Sequence, residues 1–123
     1  MTFLGPQPKE AMPRLYADSD VFLFTSIWAE PFGRVLIEAM ALGVPVIGGL
    51  NSGAVPWVLN YGKNGLLVDI KDENEICNAV IKLIEDPIQY EKLSSGGISH
   101  VAENFSVESV CNKYIQLFKE ILS

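Results

Sequence analysis

Two glutamates near the start of a predicted helix are the residues of this chain best suited to chemistry. Glu30 precedes the helix and Glu38 lies about a turn and a half inside it, so both carboxylates can face one crevice. An ionised carboxylate only accepts hydrogen bonds and suits the paired hydroxyls of a ribose or a pyranose. The free N–H groups of a helix start, here near Phe32, Gly33 and Arg34, attract anions, and a glycine there lets a diphosphate approach. The spacing is therefore typical of a nucleotide-sugar site.

A purely structural interpretation of the same residues stays open. Glu38 follows Arg34 by four positions and can pair with it on a solvated helix face. Glu30 can simply favour the positive end of the helix dipole. Each effect contributes roughly a few tenths of a kcal/mol, and the spacing alone does not choose between the two interpretations.

The elements that must position these glutamates are two buried strands and the helix between them. Residues 21–24 and 44–47 are apolar runs without polar alternation, which is typical of strands buried on both faces and paired in parallel. Residues 33–42 carry apolar side chains at helical spacing, and Gly43 ends that helix. Residues 8–17 predict another crossover helix that leads into the first of these strands.

Two further strands are predicted outside this unit. Residues 66–68 follow Asn64 and Gly65, a dipeptide suited to a tight turn with positive φ. Phe3 and Leu4 indicate the remnant of a fourth strand.

The C-terminal half predicts three helices. Their starts are signalled by Asp72, by Asp86 before a proline, and by Ser106. The element order predicts a Rossmann-like, doubly wound parallel α/β sheet with C-terminal helices, in which ligands bind outside the carboxyl ends of the strands. The last helix carries an apolar stripe that should cover a core face: Val110, Cys111, Tyr114, Leu117, Phe118 and Ile121.

Composition excludes several other functions. The net charge of −6 and nine scattered Lys and Arg residues argue against a nucleic-acid partner. The longest apolar stretch, residues 44–50, contains Pro45 and is too short to span a membrane. The N-terminus lacks the pattern of a secretory signal, and Cys77 and Cys111 lack metal-type spacing. We therefore expect a cytoplasmic protein whose two cysteines lie on helices and face the protein core.

Ordered sequence blocks extend over nearly the whole chain on both sides of the two glutamates. They are residues 16–26, 30–33, 37–47, 53–56, 61–68 and 104–106. In this order they resemble the signature of the family 4 retaining glycosyltransferases, which are group 1 enzymes with the GT-B fold. The resemblance implies that residues 1–123 form a single, truncated domain, the C-terminal nucleotide-sugar-binding domain of such an enzyme.

The resemblance also implies a role for each residue of the helix start. Glu30 would contact hydroxyls of the donor sugar and is the catalytic candidate, and Glu38 would hold the ribose. The main-chain amides of Phe32, Gly33 and Arg34 would bind the diphosphate. The donor would be a UDP-, GDP- or ADP-hexose and the acceptor a glycan or lipid, with no separate cofactor and no metal.

Two chemical roles are open for Glu30. It could be a covalent nucleophile, as the second carboxylate is in retaining glycosidases. Alternatively, it could position the sugar and support it electrostatically. We favour the second role, because front-face departure of the nucleotide needs preorganised charge near the phosphate more than a displaced carboxylate.

Other residues that invite a functional interpretation are less well placed. Asp18 and Asp20 form an Asp-x-Asp pattern, but it precedes its strand and so lies at the wrong end for a metal in the crevice. His100 is expected to be a packing or surface residue. Trp57 stands where the family usually has a glutamate, and it could pack as core or line a partner surface.

The resemblance covers only half of a GT-B enzyme. The N-terminal domain and the basic residues that grip the donor phosphates have no counterpart here, so we expect the fragment alone to be inactive. Its parent could associate with the inner membrane face. An incomplete apolar sheet edge predicts a homo-oligomer or strand-swapped dimer.

Two alternatives to the glycosyltransferase function remain open. They are a separately encoded, non-catalytic nucleotide-binding or interaction module and a fragment of a GT-B sugar-nucleotide epimerase.

Overall fold

Three short parallel strands form the sheet, and their order in the chain is also their order in space. The computed structural model describes all residues, 1–123. Strand β1 is Phe22–Leu23, β2 is Val46–Gly49 and β3 is Leu66–Val68. Phe22 pairs with Val46 and Ile47 pairs with Leu66, both in parallel register. The predicted parallel sheet is confirmed. Strand β1 is shorter than the apolar run that predicted it, whereas β2 and β3 have the predicted lengths.

Helices connect and follow the strands as predicted. One helix precedes β1, a second crosses from β1 to β2, and a short third lies between β2 and β3. Three longer helices complete the chain after β3. In chain order, the six helices are α1 Met12–Ala17, which is entered through a 3₁₀ turn at Lys9–Ala11, α2 Arg34–Ala41, α3 Val55–Val58, α4 Glu73–Glu85, α5 Pro87–Asn104 and α6 Val107–Leu122.

The central strand β2 is buried on both faces. Val46 and Ile47 are both inaccessible to solvent and, as neighbours in a strand, point to opposite sides of the sheet. Val46 belongs to a core cluster with Leu36 of α2 and Val55 of α3, whereas Ile47 belongs to another with Leu83 of α4. The absence of polar alternation in residues 44–47 thus reflects helices packed against both faces, and the predicted α/β class is confirmed.

The predicted starts of the C-terminal helices are also confirmed. The Asp72 carboxylate accepts the N–H of Asn74 at 2.8 Å, and the Asp86 carboxylate accepts the N–H of Gln89 at 2.9 Å. The Ser106 hydroxyl accepts the N–H of Ser109 at 3.1 Å. Each polar side chain satisfies an amide that has no partner within its helix.

Two predictions about local backbone were wrong. Phe3 and Leu4 form no strand and are 87% and 59% exposed. In the segment before β3, positive φ occurs at residues 60–62. It does not occur at Asn64 or Gly65, where the turn was predicted. Gly65 of that turn is required for packing, because a Cβ there would lie 2.9 Å from the Leu59 side chain and 3.0 Å from a strand carbonyl.

The apolar stripe of α6 does not cover a core face. This helix packs mainly against α5, and none of its residues is buried. Tyr114, Phe118 and Ile121 are 58%, 57% and 66% exposed. Helical periodicity indicates that one face is apolar, but it does not show which element covers that face.

Both cysteines are exposed, so the prediction that they lie in the core was wrong. Cys77 is in α4, as expected, but Ala79 and Leu83 provide the buried face of that helix. Cys77 is rotated away from this face by the helical repeat. Cys111 lies in α6, which buries no residue.

No helix of the structure is both long and apolar enough to cross a lipid bilayer.

Candidate functional site

The start of α2 is shaped by Gly33, which adopts φ = 80° and caps the helix without a side chain. A Cβ at this position would lie 2.8 Å from Cδ1 of Leu36 and 3.3 Å from Cγ of Glu30. A side chain would therefore collide with Leu36 and crowd Glu30, in addition to straining the backbone. Glycine is required here to bring Glu30 close to the first turn of α2.

The Glu30 carboxylate folds back onto the helix start. Its Oε1 accepts the N–H groups of Gly33 at 3.0 Å and Phe32 at 3.4 Å. Its Oε2 accepts the indole N–H of Trp28 at 3.1 Å. Glu30 therefore does more than favour the helix dipole, because it satisfies two main-chain amides and is held at both oxygens.

Two further amides of this helix start remain unpaired within the chain. The first amide with a main-chain partner is that of Leu36, which donates to the Gly33 carbonyl at 2.9 Å. The N–H groups of Arg34 and Val35 have no acceptor among the hydrogen bonds of the protein. They lie at the positive end of α2, where an anionic oxygen is stabilised. Only Arg34 of the three predicted amides is thus free of an internal partner.

Glu38 has one neighbour at each carboxylate oxygen. The Tyr16 hydroxyl donates to Oε2 at 3.3 Å, and Nη2 of Arg34 lies 3.9 Å from Oε1. Burial, followed by the charge and hydrogen bond of Glu38, raises the pKa of Tyr16 to about 12, so its hydroxyl remains a donor at neutral pH. The Glu38 side chain is 41% exposed. The predicted pairing with Arg34 exists, and it leaves the carboxylate accessible.

The loop after β2 supports the segment that carries Glu30. The hydroxyl of Ser52, which is 1% exposed, donates to the carbonyl of Ser26 at 2.7 Å. The N–H of Ala54 donates to the Glu30 carbonyl at 2.8 Å. Gly53 lies between these contacts, and a Cβ there would be only 2.5 Å from the main chain of Glu30. Loops from the carboxyl ends of β1 and β2 meet here, as expected for a parallel sheet.

An aromatic cluster packs behind the helix start. Phe32 lies 5.6 Å from Phe105 and 6.1 Å from Trp57, measured between ring centroids. Trp57 is 50% exposed, so it borders this cluster and is not a core residue. His100 stacks edge-on against Phe105 and its Nε2 lies 3.1 Å from the carbonyl of Val58, which confirms a packing role.

Sequence patterns identified both glutamates but missed several residues that hold them. Tyr16, Trp28 and Ser52 make their contacts through side chains that no local periodicity places near the site. Two signals pointed to Gly53: its position in a polar loop after a buried strand, and its place in the block of residues 53–56 that resembles the family signature. The aspartates before β1 contribute nothing to the site, and Asp18 pairs with Arg14 at 3.4 Å on the surface.

The family model of the glycosyl transferases group 1 matches residues 1–100. Among curated proteins, spore coat protein SA of Bacillus subtilis (strain 168) is 33% identical over 121 residues, which are 98% of this chain and 32% of that protein. The N-acetyl-alpha-D-glucosaminyl L-malate synthase of Bacillus anthracis is 34% identical over 120 residues, 98% of this chain and 30% of that protein. The chain thus spans about a third of the length of these relatives.

Solved structures agree in fold. Sucrose-phosphate synthase from Thermosynechococcus elongatus superposes with a TM-score of 0.83 at 32% identity, over 98% of this chain and 30% of that one. Anabaena HepE, crystallised with UDP and glucose, also gives a TM-score of 0.83, at 28% identity over 97% of this chain and 32% of that one. Another structure of HepE contains UDP-glucose.

Proposed function

This chain belongs to the glycosyl transferases group 1 family and has the α/β fold of GT-B enzymes, and from that premise we propose that it binds the nucleoside diphosphate sugar of a retaining hexosyltransferase. The predicted family and fold class are confirmed. The acceptor would be a glycan or a lipid. Because the chain spans about a third of its relatives, we propose that donor binding resides in residues 1–123 and that transfer requires a second GT-B domain.

This proposal rests on two main-chain amides without an internal acceptor, which lie in the chain between the hydrogen-bonded carboxylates of Glu30 and Glu38. The N–H groups of Arg34 and Val35 are available to a diphosphate, while those of Phe32 and Gly33 already donate to Glu30. We therefore place the diphosphate on the first turn of α2, one position further into the helix than the family resemblance implies. HepE, which superposes closely on this chain, has been crystallised with UDP-glucose, and this supports the assignment.

The geometry of Glu30 favours positioning over nucleophilic attack. Three N–H groups donate to its carboxylate, which has about four acceptor positions in total. One position then remains for a hydroxyl of the donor sugar. A carboxylate stabilised in this way is a poor nucleophile, whereas the adjacent helix start can stabilise the charge of the departing diphosphate.

We propose that Glu38 accepts hydrogen bonds from the ribose hydroxyls, because its carboxylate is half-exposed and has only one neighbour at each oxygen. The donor would be a UDP-, GDP- or ADP-sugar. No resident cofactor or metal is needed in this scheme, since amides and the helix dipole face the diphosphate.

A cytoplasmic location remains a prediction. So does a homo-oligomer formed through the sheet edge, where Leu23 of β1 is 38% exposed.

Nuclear magnetic resonance titration with UDP, GDP and ADP tests the proposed site. We expect the amide signals of Arg34 and Val35 to move most with the preferred nucleotide, because these N–H groups gain an acceptor. The start of α4 is an internal control, since Asp72 already accepts the amides of Asn74 and Glu75. Absence of a response at α2 with all three nucleotides at millimolar concentration, or an equal response at α4, would contradict the proposal.

A further inference from the structure

Tyr16 connects the first helix of the chain to the proposed ribose-binding glutamate. It lies in the last turn of α1, 22 residues before Glu38, and its hydroxyl donates to Oε2 of that carboxylate at 3.3 Å. We propose that Tyr16 is a positioning residue that aims Glu38 at the ribose of the donor. This inference rests on the proposed function, and it adds a residue to which neither the sequence patterns nor the family resemblance gave a role.

The tyrosine ring is fixed by its surroundings. Tyr16 is only 4% exposed and packs edge-on against Phe22 of β1, with ring centroids 5.6 Å apart and an interplanar angle of 81°. It belongs to the same core cluster as Leu36 and Met40 of α2. The hydroxyl is therefore a donor whose position is set by the core, next to the helix that carries Glu38.

Arg34 cannot provide the same orientation. Its side chain is 74% exposed, and Nη2 lies 3.9 Å from Glu38, at the limit of an ion pair. Such a surface pair is screened by solvent and requires two long side chains to be ordered. Lys9, which borders the same hollow as Tyr16 and Glu38, forms no ion pair, and Arg14 of α1 is paired with Asp18. Tyr16 is thus the one rigid partner of the Glu38 carboxylate.

The contact is compatible with simultaneous ribose binding. Tyr16 occupies one acceptor position of Oε2, so the carboxylate retains lone pairs for two ribose hydroxyls. The distance of 3.3 Å is longer than the usual O–H···O distance of about 2.7–2.8 Å, so the bond can shorten when the nucleotide binds. A carboxylate fixed by a buried donor loses less side-chain entropy when the nucleotide binds.

The test compares UDP with 2′,3′-dideoxy-UDP, which lacks the ribose hydroxyls. Affinities would be measured for the wild type, Tyr16→Phe and the control Tyr90→Phe. Tyr90 also donates its hydroxyl, to the carbonyl of Asp20 at 2.8 Å, but it is not part of the candidate site. We expect Tyr16→Phe to weaken UDP about fivefold and to leave dideoxy-UDP unchanged, which matches the loss of one ordinary hydrogen bond. Tyr90→Phe should change neither affinity.

Each other outcome has a distinct meaning. Equal weakening of both nucleotides by Tyr16→Phe, or no change in either, would overturn the positioning role while leaving the proposed function intact. No preference of the wild type for UDP over dideoxy-UDP would instead contradict the ribose assignment of Glu38 itself. If Tyr16→Phe also lowers stability, a double-mutant cycle with Glu38→Ala still decides, because Tyr16→Phe should not alter the ribose preference once Glu38 is absent.

Discussion

Gly53→Ala should destabilise the fold far more than Gly5→Ala, although the two glycines have nearly the same backbone conformation. Their φ angles are 64° and 65°. A Cβ at Gly5 would meet no atom within 4 Å, whereas a Cβ at Gly53 would lie 2.5 Å from the main-chain N and O of Glu30. The comparison therefore separates the penalty of a left-handed conformation from the effect of a collision with the backbone.

The expected magnitudes follow from these two contributions. Gly5→Ala should reduce the free energy of unfolding by about 1 kcal/mol, the penalty of positive φ for an alanine. Gly53→Ala should reduce it by about 3 kcal/mol or more, because the backbone around Glu30 must also move. Urea unfolding of both variants measures the difference. Equal losses would show that the loop after β2 does not hold the Glu30 segment.

Gly53→Ala should also weaken donor binding in the protein that remains folded. Displacement of the Glu30 main chain would break the hydrogen bond from the Ala54 N–H, which is 2.8 Å long. The Glu30 carboxylate would then no longer accept the amides of Phe32 and Gly33. A variant with reduced stability and unchanged donor affinity would contradict this link between the loop and the site.

Glu30→Gln should selectively remove the contribution of the sugar to donor affinity. The amide side chain retains the shape and one acceptor oxygen, but it loses the charge and cannot accept from both Trp28 and Gly33. We expect UDP-glucose to bind roughly tenfold more weakly and UDP to change by about twofold or less, as hydrogen bonds to charged groups contribute about 1.5–3 kcal/mol. Calorimetric titration with each ligand measures the two affinities.

A matched control is available for this substitution. Glu75 is another glutamate whose carboxylate accepts a main-chain N–H, that of Asp69 at 2.7 Å, outside the candidate site. Glu75→Gln should leave both ligand affinities unchanged. If Glu30→Gln weakened UDP and UDP-glucose by the same factor, Glu30 would act on the diphosphate or on the loop and not on the sugar.

The parts of the fold that depend on local chemistry could be predicted from the sequence. Caps such as Asp72 and Ser106 act within one helical turn, and the apolar strand β2 has the composition of a buried strand. The partner of the α6 stripe could not be predicted, because an apolar face does not identify what it packs against. The role of Gly65 was misjudged for a related reason, since a glycine can serve a turn or a close contact.

The sequence places the two glutamates of the candidate site beside one helix start, but it does not predict the residues that support them. Glu30 and Glu38 stand at a recognisable spacing around a helix start, so their neighbourhood follows from helix geometry. Tyr16 reaches Glu38 from another helix, and Ser52 reaches the carbonyl of Ser26 from another loop. Such contacts depend on the packing of elements that are distant in the chain.

The most direct test of the central claim is calorimetric titration of UDP into the wild type, Glu38→Ala and Glu91→Ala. Glu91 is an exposed glutamate of α5 and controls for the loss of a surface charge. If Glu38 holds the ribose, Glu38→Ala should weaken UDP about tenfold or more, while Glu91→Ala binds like the wild type. Equal affinity of all three proteins for UDP would contradict the assignment of Glu38 and the donor site built around it.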